Sequence, residues 1–130
     1  MFHVTIRALS GHAPFRGAVG AAVWAAVLAE RERPSVDLFA ACLMPDHLHV
    51  LVKPGARSVI QWLGTFKSYT TAVARNRGGR HFLWQPSFYD RRIRDVAEFE
   101  AVVSYIVGNP AAAGLVDGED EWPWVYAKGE

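Results

Sequence analysis

The stretch Leu43–Gly55, LMPDHLHVLVKPG, decides how the 130-residue chain reads. From His47 to Val52 apolar and polar side chains alternate, which is the period of a half-buried strand. Leu48, Val50 and Val52 complete an apolar face, while His47 and His49 share the opposite one. Ser35–Met44, upstream, is β-branched and apolar, so it predicts a partner strand. Met44-Pro45-Asp46 is the tight turn of the resulting hairpin, and Lys53-Pro54-Gly55 ends it.

Further elements flank the hairpin on both sides. Phe2–Leu9 predicts a first strand, SGHAPF a loop, and the Ala-rich Arg16–Arg31 a helix that Pro34 closes off. Downstream, Ser58–Asn76 carries Ile60, Leu63, Phe66, Thr70 and Val73 at helical spacing, with Gly78 and Gly79 as stops. Phe88–Ile93 predicts a short strand. A third helix starts at Asp95, an N-cap with Glu98 placed for a capping box, and is expected to end near Asn109 because Pro110 disfavours a helical residue before it. AAAGLV and the aromatic EWPWVYA finish the chain. The order β-α-β-β-α-β-α predicts an α+β, ferredoxin-like, four-stranded antiparallel sheet, with two helices on one face and the extra C-terminal helix free to cover the other. Residues 1–130 read as a single domain, without repeat or linker.

Composition narrows the class. The chain is 51% hydrophobic and 21% charged, with net charge +1 and pI near 8.0, an ordinary globular balance. Cys42, the one cysteine, rules out an internal disulfide and reads as a small buried hydrophobe within LFAACLM. No apolar run approaches the roughly 18 residues of a membrane span, and Met1 leads straight into a strand without a signal-peptide pattern, so a cytoplasmic protein with no membrane partner is expected. Charge is unevenly distributed. Asp90 is the one acidic residue between Lys53 and Arg94, whereas Asp117, Glu119, Asp120 and Glu121 collect near the C-terminus. A basic face for nucleic acid is therefore compatible with a near-neutral chain. Arg75, Arg77, Arg80, Arg91, Arg92 and Arg94 are its candidates. Trp84, Phe88 and Tyr89, interleaved with them, are candidates to stack on unpaired bases.

Two imidazoles on one strand face can converge on a cation, but a bare His-x-His needs further ligands to mean anything. The third helix offers Tyr105 and Asn109, four apart and so on one face. Taken singly, Tyr105 reads first as a boundary aromatic and Asn109 as a polar helix end. Tyr69 and Tyr89 are rival tyrosines, but four residues beyond them stand Val73 and Ile93, which are not ligands. His3, His12 and His81 have no paired partner in the sequence and read as structural or solvent-exposed.

MPDHLHVLV resembles the His-hydrophobic-His motif of single-tyrosine transposases. FLWQPSFYDRRIRD, YIVGNP, AGLV and WPW-x-Y are similar, in the same order, to segments of the REP-associated tyrosine transposases, and FHVTIRA fits that family's first strand. The resemblance runs from about Phe2 to about Tyr126. It implies a ferredoxin-like fold, Tyr105 as nucleophile, and His47, His49 and Asn109 as ligands of Mg2+ or Mn2+. It implies cleavage and rejoining of single-stranded DNA bearing short hairpins, through a 5′-phosphotyrosine intermediate, by a monomer or a homodimer. Where the family usually carries a basic residue after NP, this chain has AAAG. The alternatives are a relaxase- or replication-initiator-like nickase, a hairpin-binding module that does not cut, and a metal-binding domain unrelated to DNA.

Overall fold

The computed structural model describes residues 1–9, 12–34, 36–117 and 121–129. Ser35 of the predicted second strand, Ser10 and Gly11 of the predicted loop, and Glu119 and Asp120 of the acidic group lie outside them. The elements are β1 (Phe2–Arg7), α1 (Gly17–Ala29) with a 3-10 turn at Glu30–Glu32, β2 (Asp37–Leu43), β3 (His47–Lys53), α2 (Val59–Asn76), β4 (Tyr89–Arg92), α3 (Val96–Ala112) and β5 (Val125–Ala127). β2 and β3 form the expected hairpin, with Leu43 opposite Leu48 and the Met44 N–H donating to His47 O at 2.8 Å across Pro45-Asp46. The turn carbonyls are taken up by the first crossover: Ala8 N–H donates to Asp46 O at 2.9 Å and Phe15 N–H to Pro45 O at 3.0 Å.

The strand order is β4-β1-β3-β2-β5, and every pairing is antiparallel. The first four strands have the ferredoxin-like order. The sheet has five strands rather than the four expected, because the C-terminal tail adds β5 outside β2. Trp122 Nε1–H donates to Leu43 O, and Leu43 N–H donates to Trp124 O, each at 2.9 Å. Trp122 joins the apolar cluster under α3, and Trp124 joins the one under α1 and α2, so the two indoles straddle the β2 edge. A Cβ at Gly20 of α1 would overlap the Trp124 ring, which accounts for the glycine there.

Alternation sorts the core. Val4, Ile6, Leu48, Val50 and Val52 pack with Val23, Val27, Leu63 and Phe66 of α1 and α2. Ala40, Cys42 and Leu51 pack on the other face with Val102 and Ile106 of α3. The third helix therefore covers the histidine face. Its N-cap forms as expected, with Asp95 Oδ1 accepting from Glu98 N–H at 2.8 Å. The reciprocal half of the box does not form: Glu98 Oε2 accepts from Arg94 N–H instead, one residue early.

The helix also does not stop at Asn109. It continues to Ala112 with Pro110 inside. Pro110 lies in the last turn, where the N–H it lacks costs a single bond, and a Schellman closure compensates. Gly114, at φ 74°, donates to Ala111 O at 3.0 Å and Leu115 donates to Pro110 O at 2.9 Å. The extra turn keeps Asn109 helical and so in line with Tyr105.

Candidate active site

The register lays out the site. On β1, His3, Thr5 and Arg7 lie opposite Leu51, His49 and His47 of β3. On its other side, β1 sets His3 and Thr5 opposite Arg91 and Tyr89 of β4. All of these side chains point to the α3 face. All but Leu51 and His47 border, with Tyr105, a cleft of about 630 Å³.

Each candidate histidine is held by its inner nitrogen. His47 Nδ1–H donates to Asp46 Oδ1 at 2.7 Å. His49 Nδ1 lies 3.0 Å from Thr5 Oγ1 and 3.1 Å from His3 Nε2. Among the described residues neither Nε2 has a hydrogen-bond partner. The two rings meet edge to face, with centroids 4.9 Å apart. Tyr105 stands edge-on to His49 at 5.4 Å and to His3 at 5.9 Å, and is 53% exposed. α3 runs toward the His47 end of β3. Phe99 packs on Phe39 near the other end, with centroids 5.7 Å apart, and Tyr105 follows over His49. Asn109 stands one helical turn beyond Tyr105 on the same helix face. Its Oδ1 is buried and has no hydrogen-bond partner among the described residues.

That orphaned amide oxygen tests whether the donor set suits a divalent ion. Among the described residues, no group of three or more His, Cys, Asp or Glu side chains is placed to hold a metal. An ion here would use two imidazoles and an amide oxygen, and both free Nε2 atoms and the free Oδ1 fit that use. Nδ1 partners such as Asp46 and Thr5 are the usual means of orienting a ligating imidazole.

Burial, aided by the charges of His47, His3 and Arg7, pushes the His49 pKa down to about 3. Burial and the Arg91 charge lower that of His3 as well. Both rings are therefore neutral near pH 7, the state in which His49 can ligate a metal. The sign of the stability effect follows. An unfolded histidine titrates near ~6.5. Stability from neutral His49 is present above that pH and is lost as pH falls toward about 3, at up to ~1.4 kcal/mol per pH unit. Urea unfolding at stepped pH should show this slope, and His49→Gln should flatten it. An unchanged slope in the variant contradicts the burial account.

The expected DNA residues do not share one surface. Trp84 is 7% exposed and belongs to the core, where it packs on Phe15 and Phe82 with centroids 5.1 Å away in each case, and its Nε1–H donates to Thr70 Oγ1 at 2.9 Å. As folded, it has no free face for a base. Arg75 donates through Nε to Phe82 O at 3.1 Å and so ties the following loop to α2. Arg77 caps the end of α2, and Arg80 borders a separate hollow beside His12 and His81. Arg92 lies opposite Phe2, on the other sheet face from Arg91. Arg94 leads into α3 through its backbone bond to Glu98. Only Tyr89, 64% exposed, and Arg91 reach the cleft with the histidines. Tyr69 is separated from the cleft by the sheet, since α2 packs on the opposite face.

Three site-face residues escaped the sequence reading: His3, Thr5 and Arg7. His3 is neither isolated nor exposed; it is 8% exposed and touches His49. The signal was available, because His3, Thr5 and Arg7 alternate with Val4, Ile6 and Ala8 as the histidines of β3 alternate with Leu48 and Val50.

The fold has known counterparts. The chain belongs to the IS200-like transposase family: the profile described as "Transposase IS200 like" matches residues 1–109, a span that includes His47, His49, Tyr105 and Asn109. Within that family its likeness is to REP-associated members. It is 28% identical over 103 residues to the REP-associated tyrosine transposase of Escherichia coli (strain K12), an alignment covering 77% of this chain and 59% of the relative. The chain thus spans about three fifths of that relative's length. A solved structure of a REP-associated tyrosine transposase bound to a REP hairpin matches with a TM-score of 0.73 at 20% identity, covering 95% of this chain and 74% of the other. A crystal structure of a putative transposase from Deinococcus radiodurans R1 matches with a TM-score of 0.63 at 16% identity, covering 83% and 88%. These two likenesses establish the shared fold. Among the described residues no helix is long and apolar enough to cross a membrane.

Proposed function

We propose that this chain is a metal-dependent single-tyrosine transposase that cleaves and rejoins single-stranded, hairpin-bearing DNA in the cytoplasm. The observation that carries the reading is the adjacency of the His47 and His49 rings, with Tyr105 edge-on to His49 one helical turn before the buried, unpartnered Asn109 Oδ1. His47, His49 and Asn109 would hold Mg2+ or Mn2+, which when bound withdraws charge from the scissile phosphate and orients it. All three ligands are neutral and leave that charge undiminished.

The chain's own groups do the rest. Tyr105 Oη attacks phosphorus, a Tyr105–phosphate bond forms to the 5′ side, and the bond to the 3′ oxygen breaks to free a 3′ hydroxyl. The phenol proton passes to water, which reaches the half-exposed ring, and water returns a proton to the departing 3′ oxygen. The phosphotyrosine retains the diester bond, so a 3′ hydroxyl can attack it and rejoin strands. Arg7, beside His47, and Arg91 supply positive charge along the cleft, and Tyr89 offers a face for an unpaired base. The strand is thus taken to cross the β4 edge toward His49. A REP-like hairpin as the bound element is carried over from the relatives. Either a monomer or a homodimer satisfies this scheme.

The test is incubation with hairpin-bearing single-stranded DNA and Mn2+. A covalent protein–DNA adduct is expected from the wild type and none from Tyr105→Phe. Tight, salt-sensitive binding without any wild-type adduct leaves a binding module and ends the enzyme reading.

A further inference from the structure

We propose that His3 and Thr5 are positioning residues for His49, holding its ring proton on Nδ1 so that the Nε2 lone pair faces the cleft. Thr5 Oγ1 and His3 Nε2 lie 3.0 and 3.1 Å from the same His49 Nδ1, a convergence that ordinary core packing does not require. The contact admits two arrangements. In one, His49 Nδ1–H donates toward Thr5 and His3, and Nε2 is a bare acceptor. In the other, His3 Nε2–H or the Thr5 hydroxyl donates into Nδ1, and His49 presents Nε2–H to the cleft. His49 would bind a cation through Nε2 only where that atom bears a lone pair, and the second arrangement turns an N–H to the cleft instead. The first does not. His47 reaches the same state by a different route, because the Asp46 carboxylate can only accept and so keeps the proton on Nδ1. Two neighbouring imidazoles then turn the same kind of lone pair outward. Free imidazole side chains in water favour the proton on Nε2, so these partners must reverse an intrinsic preference.

The inference rests on the reading that His49 acts through Nε2, and its test is independent of cleavage. Long-range 15N–1H correlation spectra of the full chain, recorded without metal or DNA near pH 7, report which ring nitrogen carries the proton. In the wild type we expect Nδ1–H on His49 and, because its Nε2 accepts, Nδ1–H on His3. In the double variant His3→Phe, Thr5→Val we expect His49 to shift to Nε2–H and Mn2+ affinity to fall about 10–100-fold, while Thr5→Ser alone keeps both properties. Should the double variant fail to fold, Thr5→Val alone carries the comparison, with a partial shift expected. Nε2–H on His49 in the wild type overturns the inference, as does Nδ1–H persisting undiminished in folded variants. A wild-type protein with the expected tautomers that cuts no DNA would sink the proposed function and leave this inference standing.

Discussion

Replacing His47 with Ala is expected to lower Mn2+-dependent strand cleavage by about 10²–10⁴-fold, equivalent to roughly 3–5 kcal/mol of transition-state stabilisation. His47 opens β3 at the rim of the sheet, and among the described residues its one side-chain hydrogen bond is to the exposed Asp46. Removing it therefore leaves the apolar packing of Leu48, Val50 and Val52 in place. Hairpin DNA should still bind within a few-fold of wild type, since Arg7, Tyr89 and Arg91 are untouched. Single-turnover cleavage, Mn2+ titration and DNA affinity measured together separate the effects. A variant that cuts at the wild-type rate removes His47 from the catalytic set.

Trp84→Ala is expected to destabilise the fold by about 3–5 kcal/mol, lowering the thermal midpoint by roughly 10–25 °C. The indole fills the space between Phe15 and Phe82, and its Nε1–H satisfies Thr70 Oγ1, whose own proton goes to Phe66 O at 2.8 Å. Truncation removes that volume and the bond at the point where the loop after α2 returns to the sheet beside Ala8. Tyr89→Ala supplies the contrast. Its exposed ring should cost less than about 0.5 kcal/mol of stability, and up to ~1–3 kcal/mol of single-strand binding. Calorimetry and a binding titration on both variants distinguish core from contact. Wild-type stability in Trp84→Ala with weakened DNA binding would reverse the assignment.

The hairpin, α2 and the start of α3 were legible because each had its own local signal: alternation over His47–Val52, helical spacing after Ser58, and Asp95 as cap. That α3 would cover the histidine face of β3 was likewise legible, since the apolar face of β3 is complete without the histidines. Other features depended on tertiary context. β5 has three residues between Pro123 and Gly129, too few to show a period. Trp84 carries no flanking pattern that distinguishes a buried indole from a stacking one; only the bridge of Ala8 to Trp84 turns it inward. Pro110 has a strong local preference, and the Schellman closure at Gly114 overrides it. The basic run reads as one patch along the sequence, yet alternation in β4 sends Arg91 and Arg92 to opposite faces. His3 became a site residue only through its register opposite Leu51 and its contact with His49.

The central claim is that Tyr105, and not its cleft neighbour Tyr89, becomes joined to DNA. Digesting the covalent adduct with nuclease and protease and sequencing the modified peptide by mass spectrometry reads this directly. The expected result is a single nucleotide-bearing tyrosine, Tyr105, attached through a 5′ phosphate. Attachment at Tyr89, or a 3′ linkage, contradicts the account.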